Sequence, residues 1–255
     1  MLLVMDVGNT NTVLGVYRGE ELVHHWRLAS LWDRTVDELG VLVRELFTLA
    51  ELTPKDIDGM VIANVVPPLA PSLAGMARQY FGMEALFVEP GVRTGMPILY
   101  ENPQEVGADR IANSVAAHAR YGGPVLVVDF GTATTIDAVS AKGEYLGGVI
   151  APGVQISSEA LFQRAARLPR VEIRRPDKVI GRNTVQSMQS GLFFGYLGLI
   201  EGLLSRLREE LDPEAKVVAT GGLAQVFAQE FDGFDSVDPF LTLEGLRLIY
   251  LRNRG

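Results

Sequence analysis

The sequence predicts an α/β protein of two similar lobes, each a mixed sheet flanked by helices, and three observations predict it. An apolar run ending in an acidic, glycine-centred, hydroxyl-rich turn occurs twice. Leu2-Leu3-Val4-Met5 leads into Asp6-Val7-Gly8-Asn9-Thr10-Asn11-Thr12, and Val125-Leu126-Val127-Val128 leads into Asp129-Phe130-Gly131-Thr132-Ala133-Thr134-Thr135. Asp, Gly, Thr12/Thr135 and Val16/Val139 recur in one register. A third glycine turn, Ala219-Thr220-Gly221-Gly222, follows the apolar pair Val217-Val218.

Taken singly, either turn is an ordinary hairpin, because Asp, Asn, Gly and Thr all favour turns. Repetition points further. In strand, acidic turn, strand, the glycine lets backbone approach an anion, its neighbours offer N–H and O–H donors, and the Asp can hold a cation or its water shell. Two such turns suggest two half-domains clasping one nucleotide.

Along the first lobe, Val13 to Tyr17 and Glu21 to Leu28 alternate as strands joined by Arg18-Gly19-Glu20. Thr35-Val36-Asp37-Glu38 reads as a helix start, with Leu39, Leu42, Val43, Leu46 and Phe47 at helical spacing up to Ala50, and Pro54 closes it. Gly59 to Val66 is a buried strand stopped by Pro67-Pro68. Leu69 to Phe81 is a helix, and Ala85 to Val88 a short strand. A looser Gly- and Pro-rich segment, Glu89 to Val106, reaches a helix from near Ala108 through Ala119.

From Val125 the pattern restarts. Tyr145 to Ala151 is a third strand ending in Pro152-Gly153, and Val154 to Ala166 is helical. Arg167 to Asn183 is polar and resists assignment. Thr184 to Leu211 is a long helix carrying Gly191, Gly195, Gly198 and Gly202, a flat face for close backbone approach, either within the chain or in a dimer. The boundary falls near residues 115 to 124, which divides the chain into lobes 1–117 and 118–255.

With 255 residues, 47% of them hydrophobic, there is ample material for a core in each lobe. A net charge of -8 argues against nucleic acid or an anionic membrane as the main partner, so anion binding must be local. The absence of cysteine removes disulfides, thiolate nucleophiles and zinc-thiolate sites. No basic leader precedes Asp6 and no apolar stretch approaches the roughly 20 residues of a membrane span. A soluble cytoplasmic protein is expected. The chain has no Walker-type loop, no G-x-G-x-x-G, no H-E-x-x-H and no G-x-S-x-G, and His24, His25 and His118 have no ligand or triad spacing. A nucleotide would therefore be held through the acidic turns.

The segment from Tyr100 to Asn113 concentrates polar groups suited to a small-molecule acceptor, and Asp109 is its candidate base. Asp109 stands where a loop enters a helix, and the helix dipole favours its carboxylate by about 0.3–1 kcal/mol. It is expected to be ionised at neutral pH. On chemistry alone this role is matched by a plainer one, in which Asp109 only satisfies helix N–H groups, Arg110 is a solvated charge and Asn113 a helix-surface amide.

The chain resembles the type III pantothenate kinases, of the superfamily that includes acetate and sugar kinases, Hsp70 and actin. The resemblance rests on Asp6 to Val13, on Ala63-Asn64-Val65-Val66-Pro67, and on Tyr100 with Asn102-Pro103 and Gly107-Ala108-Asp109-Arg110. It extends through Asp129 to Thr135 and Gly181-Arg182-Asn183-Thr184.

It implies the actin-like ATPase fold with two ribonuclease H-like lobes, and ATP-dependent phosphorylation of pantothenate, the first committed step toward coenzyme A. By position it implies that Asp6, Val7, Gly8, Asn9, Thr10, Asn11, Thr12 and Val13 hold the ATP phosphates and Mg2+, with Thr132 contacting ATP. Asp109 would accept the proton, Tyr100, Gly107, Ala108, Asp109 and Arg110 would bind pantothenate, and Thr184 would complete that pocket. Asp129 would ligate a monovalent cation, K+ or NH4+, although its symmetry with Asp6 reads equally as a Mg2+-side carboxylate. A homodimer is implied as well. Another small-molecule kinase of the superfamily, or a nucleotide-binding regulator, remains the alternative.

Overall fold

The computed structural model describes residues 1–254, and the chain divides into two compact units, Met1–Ala116 with the segment from Leu241 onward, and Ala117–Phe240. In the first unit, β1 (Leu2–Val7), β2 (Asn11–Arg18) and β3 (Glu21–Ala29) form an antiparallel run, and β4 (Gly59–Asn64) and β5 (Leu86–Phe87) join β1 in parallel. The strand order is β3-β2-β1-β4-β5. In the second unit, β6 (Val125–Phe130), β7 (Ala133–Val139) and β8 (Tyr145–Pro152) are antiparallel, and β9 (Lys216–Gly221) and β10 (Ser236–Val237) extend the other side in parallel. The order β10-β9-β6-β7-β8 is the same topology, with β6 in the place of β1.

Local chemistry sets the helices. In α1 (Val36–Leu49) Thr35 and Glu38 form a reciprocal capping box that satisfies two otherwise orphaned N–H groups. Leu39, Val43 and Phe47 bury one face. Gly40 lets Tyr80 of α2 (Ala70–Phe81) lie against the helix, since a Cβ there would be 2.3 Å from its ring. The left-handed Gly82 ends α2, as the loss of helical spacing after Phe81 anticipates. Both helices pack on Leu3, Met5, Val7, Leu14, Val16 and Ile62.

The opposite face of β1 also needs cover, because Leu2 and Val4 are buried along with their neighbours. It comes from α7 (Leu241–Asn253), which packs on β1, β2 and β4 of the first unit. The expected second lobe, 118–255, therefore ends too late, and its last helix belongs to the first unit. Leu243 reaches the space over Gly15 and Val4, and Gly245 passes close to Ala112 O in α3 (Ala108–Tyr121).

In the second unit, α5 (Thr184–Leu211) buries Met188, Leu192, Tyr196, Ile200 and Leu204 at four-residue spacing. With Phe193 and with Phe227 of α6 (Ala224–Ala228) it covers Leu126, Val128 and Phe130. Phe130 and Phe193 both stack on Phe227, at 4.9 and 5.3 Å. Helix α4 (Val154–Arg164) stops two residues earlier than expected, and residues 167–183 form no regular element.

Candidate functional site

The first turn closes tightly: Gly8 N donates to Asn11 O at 3.0 Å, and a Cβ on Gly8 would already be 3.0 Å from that oxygen. Asp6 lies one residue before the end of β1, opposite Val13 on β2 and Ala63 on β4. Beside it Val65 N donates to Val7 O and Val66 N to Asn64 Oδ1, so the Asn64-Val65-Val66 motif ties the end of β4 to the end of β1.

The second turn is one residue shorter. Val7 pairs with Thr12 across four residues, whereas Phe130 pairs with Thr134 across three. Thr12 therefore corresponds in the sheet to Thr134, and Val16 to Ala138. The single register expected from Thr12/Thr135 and Val16/Val139 ends at the turn, since a one-residue slip moves a strand's side chains to the other face. The acidic side of the repeat is unaffected, because Asp129 keeps the place that Asp6 has in β1.

The third glycine turn backs the second. Thr220 pairs with Asp129 and Gly221 with Phe130. Gly221 has φ +91°, and a Cβ there would lie 2.5 Å from Asp129 Oδ1. Gly153 passes still closer to Thr132, its would-be Cβ 2.1 Å from Thr132 O. Backbone thus crowds Asp129 and Thr132 where no side chain could.

Asp109 stands in the first turn of α3, after the short turn Pro103–Glu105 that Asn102 caps through Gln104 N. Arg110 N donates to Asp109 Oδ1 at 2.8 Å. Gly107 is required here, because its Cβ would come 2.4 Å from the same oxygen. Asp109 keeps some solvent contact, yet protein surrounds it closely enough that burial pushes its carboxyl above the ordinary value. The Arg110 N–H and guanidinium pull the other way and do not prevail. Desolvation thus overrides the lowering expected from the helix dipole.

Tyr100 lies half-buried in the irregular segment before Asn102, and Ala108 and Arg110 share the first turn of α3 with Asp109. Asn113 is fully buried and accepts from Thr242 of α7, so it is not a surface amide. Thr184 is the first residue of α5, capped by Asn183, whose side chain accepts from Gln186 N. It lines an open hollow of about 670 Å³ with Leu161, Leu168, Arg182 and Met188. On α5, Gly191, Gly195 and Gly198 have open space where a Cβ would stand, so among the described residues nothing packs against these three positions.

Not anticipated were Ser30 and Trp32. Ser30 N donates to Thr10 O, Ser30 Oγ meets Thr12 Oγ1 at 2.8 Å, and Trp32 Nε1 donates to Asn9 O at 3.1 Å. A tryptophan in a polar stretch at the end of a strand paired with the turn is the signal that could have marked them.

Two sheets of one topology, each with an acidic glycine turn at the tip of its central hairpin, define an actin-like ATPase fold. A solved structure with this fold, the (R)-2-hydroxyglutaryl-CoA dehydratase component A of Acidaminococcus fermentans, is similar with a TM-score of 0.58 at 14% identity, over 99% of this chain and 98% of that one. Within that class the chain belongs to the type III pantothenate kinases, whose family pattern matches residues 2–206. The type III pantothenate kinase of Myxococcus xanthus is 59% identical over the whole of both chains. That of Koribacter versatilis is 57% identical over 100% of this chain and 97% of its own.

Proposed function

We infer that the protein uses ATP to phosphorylate the primary hydroxyl of pantothenate, forming 4'-phosphopantothenate at the start of coenzyme A synthesis. The observation that carries this reading is the acidic glycine turn repeated at equivalent hairpins of two sheets with one strand order. Family membership supports the choice of acceptor.

We assign the ATP phosphates to Asp6 through Val13, where a tight glycine turn offers backbone donors, and a further ATP contact to Thr132. Pantothenate is assigned to Tyr100, Gly107, Ala108, Asp109, Arg110 and Thr184. Among the described residues no group of three or more His, Asp or Glu side chains could cage a metal. Mg2+, which keeps several waters and takes one or two carboxylates, would be held beside the ATP phosphates by Asp6. The oxygen of Asp129, crowded by backbone at Gly221, suits a monovalent cation, K+ or NH4+. Bound cations neutralise charge on the transferring phosphoryl group.

Asp109 does the proton chemistry. With Oδ1 held by Arg110 N, its Oδ2 receives the proton of the attacking hydroxyl as phosphoryl transfer proceeds. The carboxyl raised by burial is a better-matched base than an exposed aspartate. The open glycine edge of α5 supports a homodimer built on that helix. A cytoplasmic setting agrees with the cysteine-free composition and with the absence, among the described residues, of a helix long and apolar enough to cross a membrane.

The test is ATP-dependent phosphorylation of pantothenate by the purified protein with Mg2+, with and without K+ or NH4+. Cation-dependent turnover is expected. A folded, ATP-binding protein that leaves pantothenate unmodified would sink the choice of acceptor.

A further inference from the structure

The segment after β3 bears directly on the first acidic turn. Trp32 is 56% exposed and Leu31 51%, both in the six-residue connection 30–35 between β3 and α1. Three hydrogen bonds tie this connection to the acidic turn of the first unit. They run from Ser30 N to Thr10 O, between Ser30 Oγ and Thr12 Oγ1, and from Trp32 Nε1 to Asn9 O.

A trans peptide is planar, with its C=O and N–H pointing in opposite directions. The indole that holds Asn9 O therefore also sets the direction of Thr10 N–H, and Ser30 N fixes the next plane through Thr10 O. The Asn11–Thr12 plane is held by Gly8 N on Asn11 O. Three consecutive peptide planes are thus fixed by groups outside the exposed tip, Asn9 and Thr10. A turn that binds an anion through backbone N–H groups gains from such prior ordering, because otherwise the anion must order it.

We propose that Trp32 is a positioning residue for ATP: its indole N–H pins the Asn9–Thr10 peptide plane and so orders the turn before the phosphates arrive. This rests on the assignment of the ATP phosphates to Asp6 through Val13. The role is confined to binding the donor, because the indole N–H is engaged with Asn9 O on the acidic turn. Removing one such hydrogen bond weakens MgATP binding about three- to tenfold.

The chain has two tryptophans, and Trp26 packs against Phe47 and His24 away from the tip. In Trp26→Phe, emission therefore reports Trp32 alone, and MgATP added without pantothenate is expected to change it saturably. In Trp32→Phe, which keeps a ring but lacks the N–H, calorimetric titration with MgATP should show the three- to tenfold loss. The KM for ATP should rise with it while the KM for pantothenate stays within about twofold, a split that general loosening of the fold would not produce. MgATP affinity of Trp32→Phe equal to that of the unaltered protein, or Trp32 emission indifferent to MgATP, overturns the proposal. Because binding is read without the acceptor, failure of the pantothenate assignment leaves this measurement intact. No MgATP binding by the unaltered protein overturns both.

Discussion

Asp109→Asn separates the base role proposed for this carboxylate from its effect on stability. Burial raises the Asp109 carboxyl, so the folded protein holds its proton more firmly than the unfolded chain does, where an aspartate titrates near ~3.9. Below that value both states are protonated and the group costs nothing. As the pH rises through the folded value, ionisation of the buried carboxyl costs stability. Asn keeps an oxygen for Arg110 N and never ionises. Relieving a buried carboxylate of this kind stabilises by about 0.5–2 kcal/mol, and each kcal/mol raises the Tm of a chain this size by about 2–4 °C. Thermal unfolding of the two proteins from pH 4 to 8 should show Asp109→Asn more stable at pH 8, with the difference closing toward pH 4. Its turnover should fall about 10²–10⁴-fold for loss of the base. A variant less stable at pH 8, or a gain constant across that range, would refute the argument that desolvation governs this carboxyl.

Other outcomes follow from close backbone contacts. Gly245→Ala puts a Cβ 1.9 Å from Ala112 O and should cost about 1–3 kcal/mol, read from denaturant midpoints, by levering α7 from α3. Leu246→Ala, at a fully buried position of α7, should cost about 2–5 kcal/mol and unfold the first unit at lower temperature, as proteolysis of β1 to β4 would report. Gly221→Ala combines φ +91° with a contact 2.5 Å from Asp129 Oδ1, so about 1–3 kcal/mol of strain is expected, together with a weakened response of turnover to K+ or NH4+.

Much of this architecture was legible from residue patterns because the signals are local. Thr35 and Glu38 announce α1, the apolar run before each Asp announces β1 and β6, and α5 is readable from Thr184 to Leu211. The elements not anticipated are α6 with five residues, β10 with two, and α7. The first two are too short for periodicity to develop. Helix α7 is buried on several sides, with Leu241, Leu243, Leu246 and Ile249 all inside, so no single apolar face stands out.

By itself, then, the sequence determined the repeated acidic turns, the antiparallel three-stranded opening of the first lobe, and the family, and it marked Tyr100 to Arg110 as the candidate acceptor segment. These depend on near neighbours in the chain and on motifs. Tertiary structure alone decided that α7 returns to cover β1 and that the second hairpin is one residue shorter in its pairing. Only there does Gly221 back Asp129 and Trp32 hold Asn9. The upward push on the Asp109 carboxyl belongs with these. The helix dipole acts from within α3, but desolvation comes from protein packed around the carboxyl, and that packing is a property of the fold rather than of the residues beside Asp109.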